Sequence, residues 1–419
     1  MSIAKVNVDD IGNSVDKLAF SVIVFLTTFV IFAFSQMCMA ANNAQRLSSY
    51  EDINAYDLVQ DVVESAPLVV DTTEIEDFLG TLDDEIREYV PRFDLEEAIR
   101  SGEGPSIDVP HLFSGAFGFL TREIKVNLKL LGQLIIIAVI SSVMTTFVSK
   151  SAGDSCGAVA SSICRVAAIG IGINSFRITV QIAQTAVSDM ASFMQALMPT
   201  MTGTLIATGA VSTAAVVSPL ILSWVTLVAT IINSTVIPLF LVSFVLKMVN
   251  SMSGSNSVSK LAGLFKTAAL TVLGLLSTIF LGVLSMRSGF ASVSDAVAAK
   301  ATKFLSGALV PVVGKFFGDA IDLIATSSLV VKSAFGIFGL CTLTVVMLFP
   351  LLKMLCVVFM FRIASAIVQP LGDEKIASCM SDVADTLSNV CVSVAVVALM
   401  FFVSVSIIIG LGSSMSAMR

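Results

Sequence analysis

Leu131-Gly132-Gln133-Leu134-Ile135-Ile136-Ile137-Ala138-Val139-Ile140-Ser141-Ser142-Val143-Met144-Thr145-Thr146-Phe147-Val148-Ser149 contains no ionisable side chain. Coiled as an α-helix it is about 28 Å long, close to the thickness of a bilayer's hydrocarbon core. A soluble fold has nowhere to bury so uniform a surface. Lipid does, provided that each backbone amide is satisfied within its own helix. The stretch therefore reads as a transmembrane helix, and it has company. Further apolar runs cover 157–179, 193–217, 218–249, 261–286, 325–349, 350–371 and 388–412. The 193–217 run, rich in Gly, Thr and Ala, suits a span or a re-entrant hairpin equally well, so six to eight crossings are expected.

The composition agrees. Of 419 residues 56% are hydrophobic and only 13% charged, where soluble domains carry about 25% charged residues. The net charge of −7 is unevenly spread: residues 41–110 hold 18 acidic and 4 basic side chains, residues 111–419 hold 10 and 18. An acidic head thus precedes a mildly basic membrane body. Ahead of it, the apolar run 18–40 ends in small residues before the polar Ala41-Asn42-Asn43. Residues 1–40 read as a secretory signal or a signal-anchor, and either one exports the head. Lys247, Lys260 and Lys266 flank the loop 250–260 and place it in the cytoplasm. Cys38, Cys156, Cys164, Cys341, Cys356, Cys379 and Cys391 lie in or beside apolar segments, which favours reduced thiols over a disulfide framework.

Within the head (41–110), acids after Asp71 favour a helix start, and Ile75, Phe78, Leu79, Leu82, Ile86 and Val90 recur at helical spacing up to Pro91. The resulting apolar stripe needs a partner or the membrane body to pack on. A shorter helix is expected at Leu95–Arg100. Residues 111–130 alternate Arg122, Lys125 and Lys129 with Phe and Leu, the pattern of a helix lying at the membrane surface. The polytopic domain then occupies 131–419.

Inside that domain two prolines are followed by others at the same interval: Pro199 by Pro238 and Pro311 by Pro350. The correspondence suggests two related halves, 158–260 and 262–380. Broken helices in such repeats often mark a central path. The candidates for lining or gating it are Pro199, Gly203, Gly209, Pro311, Gly314 and Gly318. Arg165 and Arg177 join them, because an ionisable group at the bilayer centre costs on the order of 3 kcal/mol and needs a partner or a purpose. Lys332 raises the same question. Lys353 and Arg362 lie near enough to the ends of their segment to snorkel. Lys315 and Asp319, four residues apart, form a candidate structural ion pair.

Some chemistry has no residues to carry it. His111 is the sole histidine, so a multi-His metal site cannot be built. No Gly-x-x-x-x-Gly-Lys-Ser/Thr loop occurs, and any ATP-driven step belongs to another subunit. No cofactor, enzymatic role or nucleic-acid binding is expected.

Five blocks carry a resemblance: Gly132–Ile136, Phe193–Pro199, Thr278–Ser285, Pro311–Ala320 and Gln369–Ile376, with Ala398–Phe402 following in order. Across residues 130–412 the sequence resembles the stage III sporulation protein AE family of endospore-forming bacteria. The resemblance implies an all-α polytopic protein of the mother-cell membrane around the forespore. It would work in a multi-subunit channel or secretion complex needed for late forespore gene expression. Its implied partners are a separate ATPase, ring-forming proteins and, through them, a forespore membrane protein. The body would then be permease-like or a scaffold; the alternative is a self-contained secondary transporter of a small molecule.

Overall fold

A computed structural model describes residues 73–82, 87, 109–151, 154–253, 258–283, 313–371 and 374–416. The elements are α1 (Thr73–Thr81), α2 (Val109–Ser151), α3 (Asp154–Ala207), α4 (Val211–Ile231), a π segment (Ile232–Val236), α5 (Ile237–Ser253), α6 (Ser259–Val283), α7 (Val313–Val368), a 3₁₀ turn (Gln369–Leu371) and α8 (Glu374–Ser416). Among the described residues there is no strand, and six helical stretches are long and apolar enough to cross a membrane.

Runs that the sequence separates are fused into long rods. The runs 157–179 and 193–207 belong to α3, a helix of 54 residues, and 325–349 joins 350–371 in the 56-residue α7. Pro199 and Pro350 sit inside these helices without ending them. Packing from neighbouring helices compensates for the hydrogen bond each proline removes. The run 193–217 breaks instead at 208–210, where Gly209 takes φ 84° and turns the chain from α3 into α4. A side chain is strained in that region, and glycine is not. The 193–217 run is therefore the tip of a helical hairpin. Between Pro199 and Pro238 the chain reverses, whereas α7 runs unbroken from Val313 through Pro350. Pro311 itself lies outside the described residues.

The hairpin of α3 with α4 and α5 is held by side chains in antiparallel register. Asn233 Nδ2 donates to Ser188 Oγ at 3.2 Å, Gln195 Nε2 to Thr226 Oγ1 at 3.3 Å, and Thr202 Oγ1 to Ser218 Oγ at 2.8 Å. Phe176 stacks on Phe244 farther along, with ring centres 4.1 Å apart. The π segment lies beside the Ser188–Asn233 bridge; such bulges absorb one extra residue per turn. α6 returns along α5 and α4, with Ser243 bonding the Ala262 carbonyl at 2.8 Å and Trp224 facing Phe280.

α7 and α8 form the centre, antiparallel to each other and packed on α3. Phe193, Phe335, Phe338, Phe361, Phe401 and Phe402 fill it, each at most 1% exposed. Helices approach closely at Gly336, against Ile409, and at Gly339, against Leu197. Small residues at crossings are how membrane helices gain packing contacts where hydrophobic driving force is absent. The segment 111–130 forms the first half of the 43-residue α2. Its Phe119 meets Phe349 of α7 edge-on at 4.8 Å, which aligns it with the bundle.

In the head, α1 buries Ile75, Phe78 and Leu82, and Phe78 packs on Phe193 of α3 at 5.3 Å. The apolar stripe of the head thus rests on the membrane body. Thr81 Oγ1 donates to the Phe78 carbonyl in the last turn of α1, and Ile86, Val90 and Pro91 lie outside the described residues. The 1–40 segment, the helix expected at 95–100 and Cys38 lie outside the described residues. Cys164, Cys341, Cys356, Cys379 and Cys391 are free thiols.

Candidate functional site

Ionisable side chains of four helices converge at the end of the bundle that holds the α5–α6 and α7–α8 connections. α8 begins in an acidic turn and mixes polar with apolar residues up to Asn389, with the adjacent Ser381 and Asp382 one turn before Asp385. Asp382 and Asp385, three residues apart, share one broad face of α8 but are offset by about 60° around it, enough for each to reach a different neighbour. Asp382 accordingly turns to α5 and pairs with Lys247 at 3.2 Å. Asp385 turns to α7, where Arg362 Nη2 donates to its carboxylate while Nη1 reaches Ser381 Oγ at 3.2 Å. Ser365 Oγ bonds the Ala377 carbonyl one turn nearer the connection.

α3 contributes Arg165. Its side chain is 8% exposed, and Nη1 donates to the Ser251 carbonyl of α5 at 3.4 Å. Its Nε, like that of Arg362, is buried without a hydrogen-bond partner. Cys379 lies 3.9 Å from the Met248 sulfur, with Ser251 and Asp382 beside it. Together these contacts tie α8 to α5 on one side and to α7 on the other, with α3 anchored to the end of α5. The arrangement clamps helices. Among the described residues no group of three or more metal-ligating side chains gathers.

The residues expected to line a path are dispersed. Arg165 belongs to this cluster, but Arg177, Pro199, Gly203 and Gly209 are exposed on the outside of α3 and its turn. They do not face the aromatic interior. Pro311 and the side chains of Lys315 and Asp319 lie outside the described residues, as do the surroundings of Gly314 and Gly318. Arg362, expected to snorkel, is held by Asp385 at the charged end of the bundle. Lys332 is 1% exposed and donates to the Ile409 carbonyl at 3.2 Å. Asp382 and Asp385 were not singled out from the sequence, and Lys247 was read there only as a cation flanking the loop 250–260. Their signal was two acids three residues apart at the head of an apolar helix, which require cations nearby.

Residues 93–412 match the family model described as stage III sporulation protein AE. The chain belongs to the stage III sporulation protein AE family. It is 28% identical to stage III sporulation protein AE of Bacillus subtilis (strain 168) over 401 residues, covering 96% of this chain and 99% of that one. No solved structure matches it. The family model covers α2 to α8, including the charged cluster, and leaves out α1. As a family member the chain is a sporulation protein with membrane-spanning helices.

Proposed function

We propose that this chain is a multi-pass platform in the mother-cell membrane around the forespore, a subunit of the complex that joins the two cells and supports late forespore gene expression. The observation that carries this reading is the closed centre: the described core between α3, α7 and α8 is filled by phenylalanines, so the described residues of a single copy leave no route through it. A scaffold that assembles with other subunits fits this better than a self-contained transporter. Energy would come from a separate ATPase subunit, ring-forming proteins would lie between the membranes, and a forespore membrane protein would complete the link. The chain itself performs no enzymatic step.

Orientation follows from helix direction and charge. α2, α4–α5 and α7 run toward the charged end, while α3, α6 and α8 run away from it. With Lys247, Lys260 and Lys266 at that end, the charged end faces the cytoplasm. The starts of α2 and α7, and α1 with its acidic residues, then face the space between the membranes. Affinity capture of the tagged full-length chain from detergent extracts of sporulating cells tests the proposal. Co-purification of an ATPase and ring-forming proteins is the expected result. A chain that comes down alone, and that moves solutes in liposomes without partners, overturns it in favour of the transporter.

A further inference from the structure

Where the charged end of the bundle closes, Lys247 pairs with Asp382 and Arg362 with Asp385. Arg165 is the cation left over. Its side chain is 8% exposed, and its one hydrogen bond runs from Nη1 to the Ser251 carbonyl at 3.4 Å, longer than such bonds usually are. Cys379 of α8 lies close to both Arg165 and Ser251, so α3, α5 and α8 all meet around this guanidinium. None of them neutralises it, since Asp382 is taken by Lys247.

The contact with Ser251 uses one corner of the group. A guanidinium presents two forks of parallel N–H donors, Nη1 with Nη2 at its tip and Nε with Nη2 along its side. Nη1 is engaged, Nε is buried without a partner, and Nη2 bonds no described residue. The side fork is therefore unused. Its two donors match two oxygens of a carboxylate or a phosphate, and arginine holds such anions more tightly than lysine because both bonds form together. A buried donor left alone carries the full desolvation of its group, so this edge is built for an oxyanion. Asn250 Oδ1, one residue before Ser251, is buried and accepts no hydrogen bond.

The surroundings select what carries that oxyanion. Beside Arg165 on α3, Ile163 and Val166 are exposed, and beside Ser251 on α5, Val249 and Met252 are exposed. In a membrane chain such side chains meet acyl chains. The ends of α5 and α7 and the starts of α6 and α8 lie at this level, where headgroups are expected. We propose that Arg165 holds the phosphate of an anionic phospholipid in the seam between α3 and α5, with the lipid tails on those apolar flanks. Basic sites between membrane helices take lipid phosphates in this way. A soluble anion would fill the fork and leave the flanks bare. A hydroxyl-bearing headgroup also supplies the donor that Asn250 Oδ1 lacks. Phe176 stacked on Phe244 closes the same seam farther in, and the lipid closes it at the end. The inference goes beyond the platform reading and does not rest on it, because it concerns the chain without partners.

Thermal unfolding of the full-length chain, purified in mild detergent and stripped of lipid, tests it. Phosphatidylglycerol should raise the unfolding temperature of the wild type, and phosphatidylcholine with the same tails should raise it less. Arg165→Leu should lose the difference. Arg165→Lys keeps the charge without the fork and should need about tenfold more phosphatidylglycerol for the same shift. Should Arg165→Leu misfold, Arg165→Lys alone decides. A phosphatidylglycerol response that survives both substitutions, or that exposed Lys375→Ala removes equally, overturns the site. Equal responses to the two lipids overturn the anionic headgroup. Inorganic phosphate or glycerol 3-phosphate stabilising as well as the lipid assigns the fork to a soluble anion and overturns the lipid, and no response to any of them overturns both. Capture of partners in cells is measured separately, so none of these failures touches the platform reading.

Discussion

Arg362 of α7 and Asp385 of α8 join the two central helices near the α7–α8 connection, and Ser381 takes the second arm of the same guanidinium. The Arg362 side chain is 15% exposed and that of Asp385 37%, so water screens the pair from one side only. Removing one partner leaves a half-buried charge, whereas removing both leaves none. Arg362→Leu should destabilise the protein by about 1–3 kcal/mol, and Arg362→Leu with Asp385→Leu should recover most of that loss. Thermal unfolding of the detergent-solubilised variants measures both; equal loss in single and double variants would contradict the pairing.

Lys247 and Asp382 make a weaker contact of the same kind. Their side chains are 19% and 35% exposed and lie 3.2 Å apart. Partly solvated pairs contribute about 1 kcal/mol or less and fade with salt. Lys247→Ala should therefore cost little, and its cost should shrink between low and high ionic strength. A large, salt-independent loss would mean that Lys247 supports the fold by packing.

At the other end of the centre, a Cβ on Gly336 would collide with Ile409 Cγ1 and lie 2.7 Å from its Cδ1. Lys332, one turn earlier, already holds the Ile409 carbonyl, which limits how far α8 can retreat. Gly336→Ala should destabilise by about 1–3 kcal/mol, the usual cost of overpacking. Ile409→Ala introduced with it should restore part of the loss. Gly339→Ala meets only the methyl end of Leu197, at 2.6 Å, and should cost less because that side chain can rotate.

These contacts mark what the sequence made legible. Uninterrupted apolar runs revealed the membrane body, since lipid tolerates nothing else, and helical spacing revealed the buried stripe Ile75–Phe78–Leu82 of the head. Whether neighbouring runs fuse was not visible, because Pro199 and Pro350 break helices in water but are tolerated where other helices supply packing. Gly209 ends one helix and Gly203 does not; only φ separates them. Arg362 could not be assigned to Asp385 from spacing, since the two meet across a helical turnaround, 23 residues apart.

Arg165 gives the sharpest test of what the charged end is for. It is a nearly buried cation with one long bond to the Ser251 carbonyl and an unpartnered Nε, so the isolated chain gains little from its charge. Replacing a poorly paired buried charge with an apolar group of similar size is often neutral or stabilising. Arg165→Leu should therefore insert normally and unfold at or above the wild-type temperature. If the cation serves the assembled complex, the same variant should lose forespore gene expression together with capture of its partners, and Arg165→Lys should retain part of both. If expression is lost while every partner is still captured, Arg165 acts on a moving solute and the platform reading fails. Retention of both assigns the residue to the fold alone.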